Sequence, residues 1–394
     1  MILACEPVCR GFEHAAVNAG MLAVIKDAFP GDELLFMAEE RHLDLVAHDP
    51  LILARGGFAF KALPAPLRKT SSAELFDRAL STVRSLFASA KRMDVSLVVF
   101  TCIDGETLHA VKLLLKDSPD IRCVVVVHGI LSSVLKRPSL LPWKNRHLFR
   151  NWFLHDNPER LSYIVFGESI ERELVARFPS LRGHLVSLDL PYHYAAPEEY
   201  VPFRDRTVSF GSLGVLRKVK GSQLFLKLAG EVMAATTAYR PRFVCIGPVV
   251  DKKLRKLLSG AVSIPSPDAP LPVEEYAAHA GKIDYAVLLH GAGTTLLQGS
   301  GVLFDAFSYL KPVIATRSPF FSSYFEKMGN IGYLCDSYAD IKRVMLRLLN
   351  DPPVDEYLMQ RKALLAGREK LQVPVLAETL LQKLRTGTDS NAGE

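Results

Sequence analysis

Asp305-Ala306-Phe307-Ser308-Tyr309-Leu310-Lys311-Pro312-Val313-Ile314-Ala315 decides how this chain is read. An acid opens a short apolar helix, a Lys-Pro pair ends it, and a β-branched run follows as a strand. Gly299-Ser300-Gly301 stands just upstream, so the helix begins in glycine. A start of that kind offers open backbone N–H groups and the positive end of the helix dipole to an anion. A carboxylate one turn further on can accept hydrogen bonds from a ligand's hydroxyls. A helix that feeds a buried strand in this way is one step of a parallel sheet wrapped by helices.

The same alternation extends outward in both directions. In the first half, strands are expected at 2–7, 33–38, 95–100, 122–127 and 163–166. Helices are expected at 18–28, 72–92 and 106–116, and after 166 another capped by Ser169. The runs at 95–100 and 122–127 are apolar throughout, as strands covered on both faces are. At 188–205 prolines and tyrosines replace the periodicity, which marks a linker. The pattern then restarts, with strands at 207–210, 242–246, 285–289 and 313–315. Helices are expected at 222–234, 252–258, 273–279, 302–309, 340–349 and 355–369, and Pro374 breaks the last helical region. The expected fold class is α/β, with two Rossmann-like doubly wound domains facing across a cleft. The division is 1–190, a linker at 191–206, 207–385, and a disordered tail at 386–394.

Composition sets the bounds. The 394 residues suit two domains of about 180 residues. With 49% hydrophobic and 23% charged residues, the chain can bury two cores. A net charge of +6 favours anionic partners and is too small and too spread to argue for nucleic acid. The six cysteines (Cys5, Cys9, Cys102, Cys123, Cys245, Cys335) form no Cys-x-x-Cys pair, so buried thiols are expected rather than a zinc site or disulfides. Residues 1–4 are too short an apolar run for a secretory signal, and no window reaches the roughly 18 apolar residues of a membrane span. A cytoplasmic protein is the expectation.

In their order, these pieces resemble nucleotide-sugar glycosyltransferases of the GT-B type, family 4 in particular. That family's donor motif reads Glu, seven residues, Glu-Ala, then Gly-x-Pro-Val. Asp305-Ala306 and Lys311-Pro312-Val313 match its second half, while Leu297 stands where the first Glu would be. Val124-Val125-Val126-Val127-His128-Gly129 resembles the strand that ends in a His-bearing loop. Val208-Ser209-Phe210-Gly211-Ser212-Leu213 with Lys220-Gly221 resembles the strand and loop that hold the donor diphosphate, with Ser212 in place of an arginine. Cys245-Ile246-Gly247-Pro248 and Ile283-Asp284-Tyr285-Ala286-Val287-Leu288-Leu289 complete the series.

The resemblance implies a second domain that binds a UDP- or GDP-type sugar through Gly211, Ser212, Arg217, Lys218, Lys220, Gly247, His290, Gly299, Ser300, Gly301, Val302 and Asp305. Arg217 and Lys218 would replace the lost arginine charge. The hydroxyl residues at 291–295 could approach the nucleotide. The first domain would hold a glycan or lipid-linked acceptor. His128, at the carboxyl end of a strand, would touch the transferred sugar. Glu13, His14 and Asp104 are similar to the base dyad of inverting plant-type enzymes, where a carboxylate orients an imidazole that takes the acceptor proton. No resident cofactor or metal is expected.

Segment 140–153 holds both tryptophans, Trp143 and Trp152, with Lys144, Arg146 and Arg150. It reads as an interfacial helix for the inner face of the plasma membrane. The implied function is sugar transfer to a hydroxyl, in surface polysaccharide or glycolipid assembly. The alternatives are a nucleotide-sugar epimerase of the same build and a non-catalytic glycosyltransferase-like subunit.

Overall fold

The computed structural model describes residues 1–68, 70–135, 137, 139–141, 145–258, 260–290 and 296–389, with backbone alone for 386–389. By contacts the chain divides into two units. The first comprises Met1–His193, Leu297–Gly299 and Leu371–Glu394; the second comprises Tyr194–Leu296 and Ser300–Lys370.

The first unit is built on β1 (Ile2–Cys5), β2 (Leu34–Glu39), β3 (Phe58–Leu63), β4 (Leu97–Phe100), β5 (Arg122–Val126), β6 (Leu161–Phe166) and β7 (Leu185–Leu188). All pair in parallel, in the order β3-β2-β1-β4-β5-β6-β7. The order reverses between β1 and β4. In open parallel sheets that switch point leaves a crevice at the carboxyl ends where ligands bind.

Helix Ala15–Ala28 lies across this sheet with Met21, Leu22, Ala23 and Val24 all fully buried. The larger of these side chains contribute about 1.5–3 kcal/mol each. Its outer side is covered by the chain's last helix, Val373–Asp389, which also packs on β7. Lys383 anchors that helix by donating to the Ser187 carbonyl (2.9 Å) and hydroxyl (2.8 Å).

The second unit carries β8 (Thr207–Leu213), β9 (Arg240–Ile246), β10 (Tyr285–Leu288), β11 (Val313–Thr316) and β12 (Gly332–Cys335). Their order is β12-β11-β10-β8-β9, again parallel, with the reversal between β8 and β10. Phe210, Phe243, Tyr285 and Tyr357 sit at the centre of its core. A buried carboxylate, Asp284, is satisfied there by the Ser209 N–H (2.7 Å) and hydroxyl (2.6 Å), the Tyr200 hydroxyl (2.9 Å) and the Phe203 N–H (3.2 Å).

Several expectations change. The second unit begins at Tyr194, and the chain returns to the first unit at Leu371. The helix expected to break at Pro374 begins there instead, since proline fits a first turn whose N–H groups have no helical partner. That helix runs to Asp389, into the stretch expected to be disordered, while 390–394 lie outside the described residues. Ser169 caps nothing: Gly167 precedes the helix Glu168–Arg177, and Ser169 is buried inside it. β3, β7 and β12 were not expected. All six cysteines are buried and unpaired. Among the described residues no helix is long and apolar enough to cross a membrane.

Candidate functional site

The second unit gathers most of its expected donor residues at the β8/β10 switch point. β8 is followed by a loop that turns at Gly214 and runs through the short 3₁₀ turn Lys218–Lys220 into helix Ser222–Met233. Gly221 joins turn to helix at φ 74°, and a Cβ there would stand 2.1 Å from the Leu289 carbonyl oxygen. Only glycine lets the loop lie this close to the end of β10. Gly247 plays the same part after β9, where a Cβ would meet the Gly214 carbonyl oxygen at 2.3 Å.

These close approaches bring Lys220 and His290 together. The Lys220 ammonium is half-buried and makes no hydrogen bond to a described residue. Burial lowers its pKa; Asp305 pulls it back up and Arg217 lowers it. His290 is 6% exposed, its Nδ1 has no hydrogen-bond partner among the described residues, and its ring meets Phe321 edge-on at 5.7 Å. Burial, then the Lys220 charge, pulls its pKa to about 4, so it is neutral at physiological pH.

Helix Gly301–Ser308 begins beside them. Ser300 has extended backbone but makes no side-chain cap, and its buried hydroxyl has no partner among the described residues. A Cβ on Gly301 would meet no described atom within 4 Å, and no side-chain cap from Ser300 occupies the first N–H groups. Asp305, one turn in, accepts a hydrogen bond from the Tyr276 hydroxyl (2.9 Å). A cation, a buried neutral imidazole, an open helix start and a held carboxylate thus meet at one edge. Together they can take up a diphosphate and orient hydroxyl groups near it.

The other donor residues are placed as follows. Gly211 is inside β8 with Ile283 filling its Cβ position, and Ser212 is also a strand residue. Arg217 and Lys218 are exposed on the loop, and Val302 is buried, packed near Gly214. Gly299 clusters with the first unit. Leu297 is buried at 2% exposure, which suits leucine and not a carboxylate. Residues 291–295 lie outside the described residues.

In the first unit, the loops after β1 and β4 flank the other switch point. His14 precedes helix Ala15–Ala28 at φ 55°, and its ring meets His128 edge-on at 4.4 Å. Its pKa is lowered by burial, which Glu6 and Glu13 oppose. Asp104 does not join this pair. Its carboxylate accepts the Thr107 N–H (2.8 Å) and caps helix Gly105–Leu115. Glu13 is drawn off to Arg68 and the Arg10 N–H.

The carboxylate beside His14 is therefore Glu6, which sequence reading missed. It is 1% exposed and accepts from the Val8 N–H (2.9 Å), the Cys9 N–H (2.8 Å), Asn18 Nδ2 (2.8 Å) and the Thr101 hydroxyl (3.0 Å). Asn18 Nδ2 also donates to His42 Nε2 (2.8 Å), and His42 Nδ1–H donates to the Gly11 carbonyl (2.8 Å), which fixes the tautomer. An acid just past a buried strand was the only signal available. Glu6, Cys9 and Cys102 form the one group of three metal-type ligands within 4.8 Å among the described residues. All four acceptor positions of Glu6 are already filled by hydrogen bonds, so the group holds the loop rather than a cation.

The His128 pKa falls to about 3 through burial, then through His14, and the Thr101 backbone works the other way. Unfolded, the imidazole takes a proton near 6.5. The unfolded chain thus binds more protons between these values, and stability is lost as pH falls from about 6.5 toward 3. His128→Phe is expected to flatten that acid limb by up to ~1.4 kcal/mol per pH unit. Urea melts at pH 4 and pH 7 check it, and an unchanged pH dependence refutes it.

No family model matches the chain, and no curated protein does. Solved structures do. HepE from Anabaena, in complex with UDP-glucose, superposes with a TM-score of 0.64 at 11% identity, covering 98% of this chain and 99% of that one. A glycosyltransferase from Rickettsia africae gives 0.58 at 10% identity, over 100% and 99%. A UDP-N-acetylglucosamine 2-epimerase candidate from Listeria monocytogenes gives 0.56 at 11%, over 99% and 96%. The chain has the GT-B fold.

Within this GT-B chain, the described residues of segment 140–153 do not form one helix. Its helical part is Phe149–Leu154, and Phe149, Phe153 and Leu154 are buried. Trp152 stacks on His109 at 3.6 Å and donates its indole N–H to the Arg146 carbonyl (2.8 Å). Arg150 donates to the Val134 carbonyl (2.8 Å). These side chains pack within their own unit. Trp143 and Lys144 lie outside the described residues, and Leu140 is 99% exposed.

Proposed function

We propose that the protein transfers a sugar from a nucleoside-diphosphate sugar to a hydroxyl acceptor. The observation that carries this reading is the meeting of Lys220, His290, Asp305 and the open start of helix Gly301–Ser308 at one switch point of the second GT-B unit. As the bond from sugar to diphosphate breaks, negative charge grows on the leaving phosphate. Lys220 and the helix N–H groups stand at that switch point to receive it, and their positive ends favour the charge as it develops. Asp305, held by Tyr276, accepts hydrogen bonds from hydroxyls of the ribose or the sugar. In the first unit, His14 is assigned the acceptor proton, with Glu6 supplying the negative potential that favours the imidazolium formed. The acceptor is read as a glycan or lipid-linked glycan of surface polysaccharide or glycolipid assembly. Exposed Leu140 and Leu141 are apolar groups that could meet a lipid chain.

A panel of UDP- and GDP-sugars, incubated with and without a cell extract of lipids and glycans, tests the reading. Diphosphate release that requires the extract is expected. The likeness to the Listeria epimerase candidate gives the rival a concrete form: isomerised sugar without any acceptor would replace this reading with epimerisation. Donor binding without turnover under all conditions would replace it with a binding subunit.

A further inference from the structure

The second unit has another opening, at the amino ends of its strands and opposite the edge that carries Lys220 and His290. It is a cavity of about 950 Å3, at the upper end of the roughly 300–1,000 Å3 usual for small-molecule sites. Its floor is one face of β8 and β9. Thr207 pairs in register with Arg240 and Ser209 with Arg242, so the four side chains project to the same side. Helix Val273–Gly281 faces that floor through Glu274, Ala277, Ala278 and Gly281, a stripe spaced by three and four residues. Ala, Ala and Gly stop short of the floor, which leaves the space open.

The wall is fixed. The Tyr200 hydroxyl bonds the Ile283 carbonyl and Asp284, both at 2.9 Å, and Arg361 donates to the Leu310 (3.1 Å) and Glu198 (3.2 Å) carbonyls.

The charges on the floor are not consumed by the fold. Arg240 donates one N–H to the Asp205 carbonyl (3.1 Å), and Arg242 bonds to no described residue. Across from them the Glu274 carboxylate is likewise unbonded among the described residues. Arginines and acids that share a cavity without pairing leave both a place for an anion and acceptors for hydroxyl groups.

We propose that this cavity is a second ligand site, for a sugar bearing a carboxylate or phosphate, with the charged group on Arg240 and Arg242 and hydroxyls on Glu274. Two guanidinium groups on one strand face can fork a carboxylate or phosphate. A neutral sugar leaves that pair unused. A polyanion without hydroxyls meets Glu198, Glu199 and Glu274 with nothing to donate. The site is independent of the donor assignment, because it lies at the other end of the sheet.

Calorimetry on the full chain tests this with glucuronate, glucose 6-phosphate, glucose and inorganic phosphate, each with and without UDP. At least one charged sugar is expected to bind roughly tenfold or more tighter than both glucose and phosphate. Which charged sugar binds tells carboxylate from phosphate. Saturating UDP should leave that affinity unchanged. R240S/R242S, at exposed positions, should reduce it to the level of glucose. Ala277→Leu, which narrows the space above the arginine floor and keeps every charge, should weaken it. The proposal fails if charged sugars bind no tighter than glucose, or if phosphate alone binds as well. It also fails if UDP displaces them, or if both variants, folded by circular dichroism, bind like the wild type.

Discussion

Changing His14 to asparagine is expected to cut turnover by about 10²–10⁴ while donor affinity stays the same. Asparagine is the right replacement because His14 has φ 55°, a conformation asparagine tolerates far better than alanine. The backbone before helix Ala15–Ala28 is then kept, and only the imidazole is lost. The base assignment rests on position and charge. His14 sits where the loops after β1 and β4 open, keeps an exposed edge, and has the Glu6 carboxylate near enough to raise its pKa against burial. Steady-state rates at saturating acceptor, with donor calorimetry alongside, measure both halves of the expectation. Asp104→Asn serves as the contrast. That carboxylate caps a helix, so its loss should cost about 1 kcal/mol of stability or less and leave the rate of folded protein unchanged. If the asparagine variant of His14 turns over at the wild-type rate, the base lies elsewhere.

Lys220→Ala should weaken binding of a nucleoside diphosphate by about 1.5–3 kcal/mol, the range for a hydrogen bond to a charged group. The nucleoside without phosphates should bind as before. Lys220 is half-buried, and the charges that act on it are Asp305 and Arg217, of which Arg217 is exposed on the loop. A second readout separates this from general damage. Lys220 is one of the two causes that lower the His290 pKa, so its removal should shift the His290 titration upward by NMR. An equal loss of affinity for the nucleoside would show that Lys220 does not meet a phosphate.

The parallel strands were legible wherever burial on both faces left an unbroken apolar run, as at β5 and β10. β3 was not, because its residues are mostly exposed and Lys61 interrupts them at an open edge. Edge strands carry polar residues that discourage further pairing, and this erases the apolar signal. The Ser169 cap failed because glycine can begin a helix without a side-chain bond, and nothing in the spacing distinguishes the two. At the donor edge, Lys220, His290 and Asp305 were named from sequence because each stands at a strand end or helix start. Glu6, Asn18 and His42 could not be found that way. They are 12 and 24 residues apart, and only the fold of β1 against β2 and the first helix makes them neighbours.

The last helix, which covers helix Ala15–Ala28 and β7, has a consequence for the order in which the protein is made. Residues 1–193 leave the ribosome with that helix face and the Ser187 anchor point uncovered, and the covering segment is synthesised only after the second unit. The second unit, at Tyr194–Leu296 and Ser300–Lys370, is complete before the first one is. Domains usually fold as they emerge, N-terminal part first. Here the first unit is completed after the second, and a nascent chain stalled at residue 370 would carry an open apolar face for chaperones to hold.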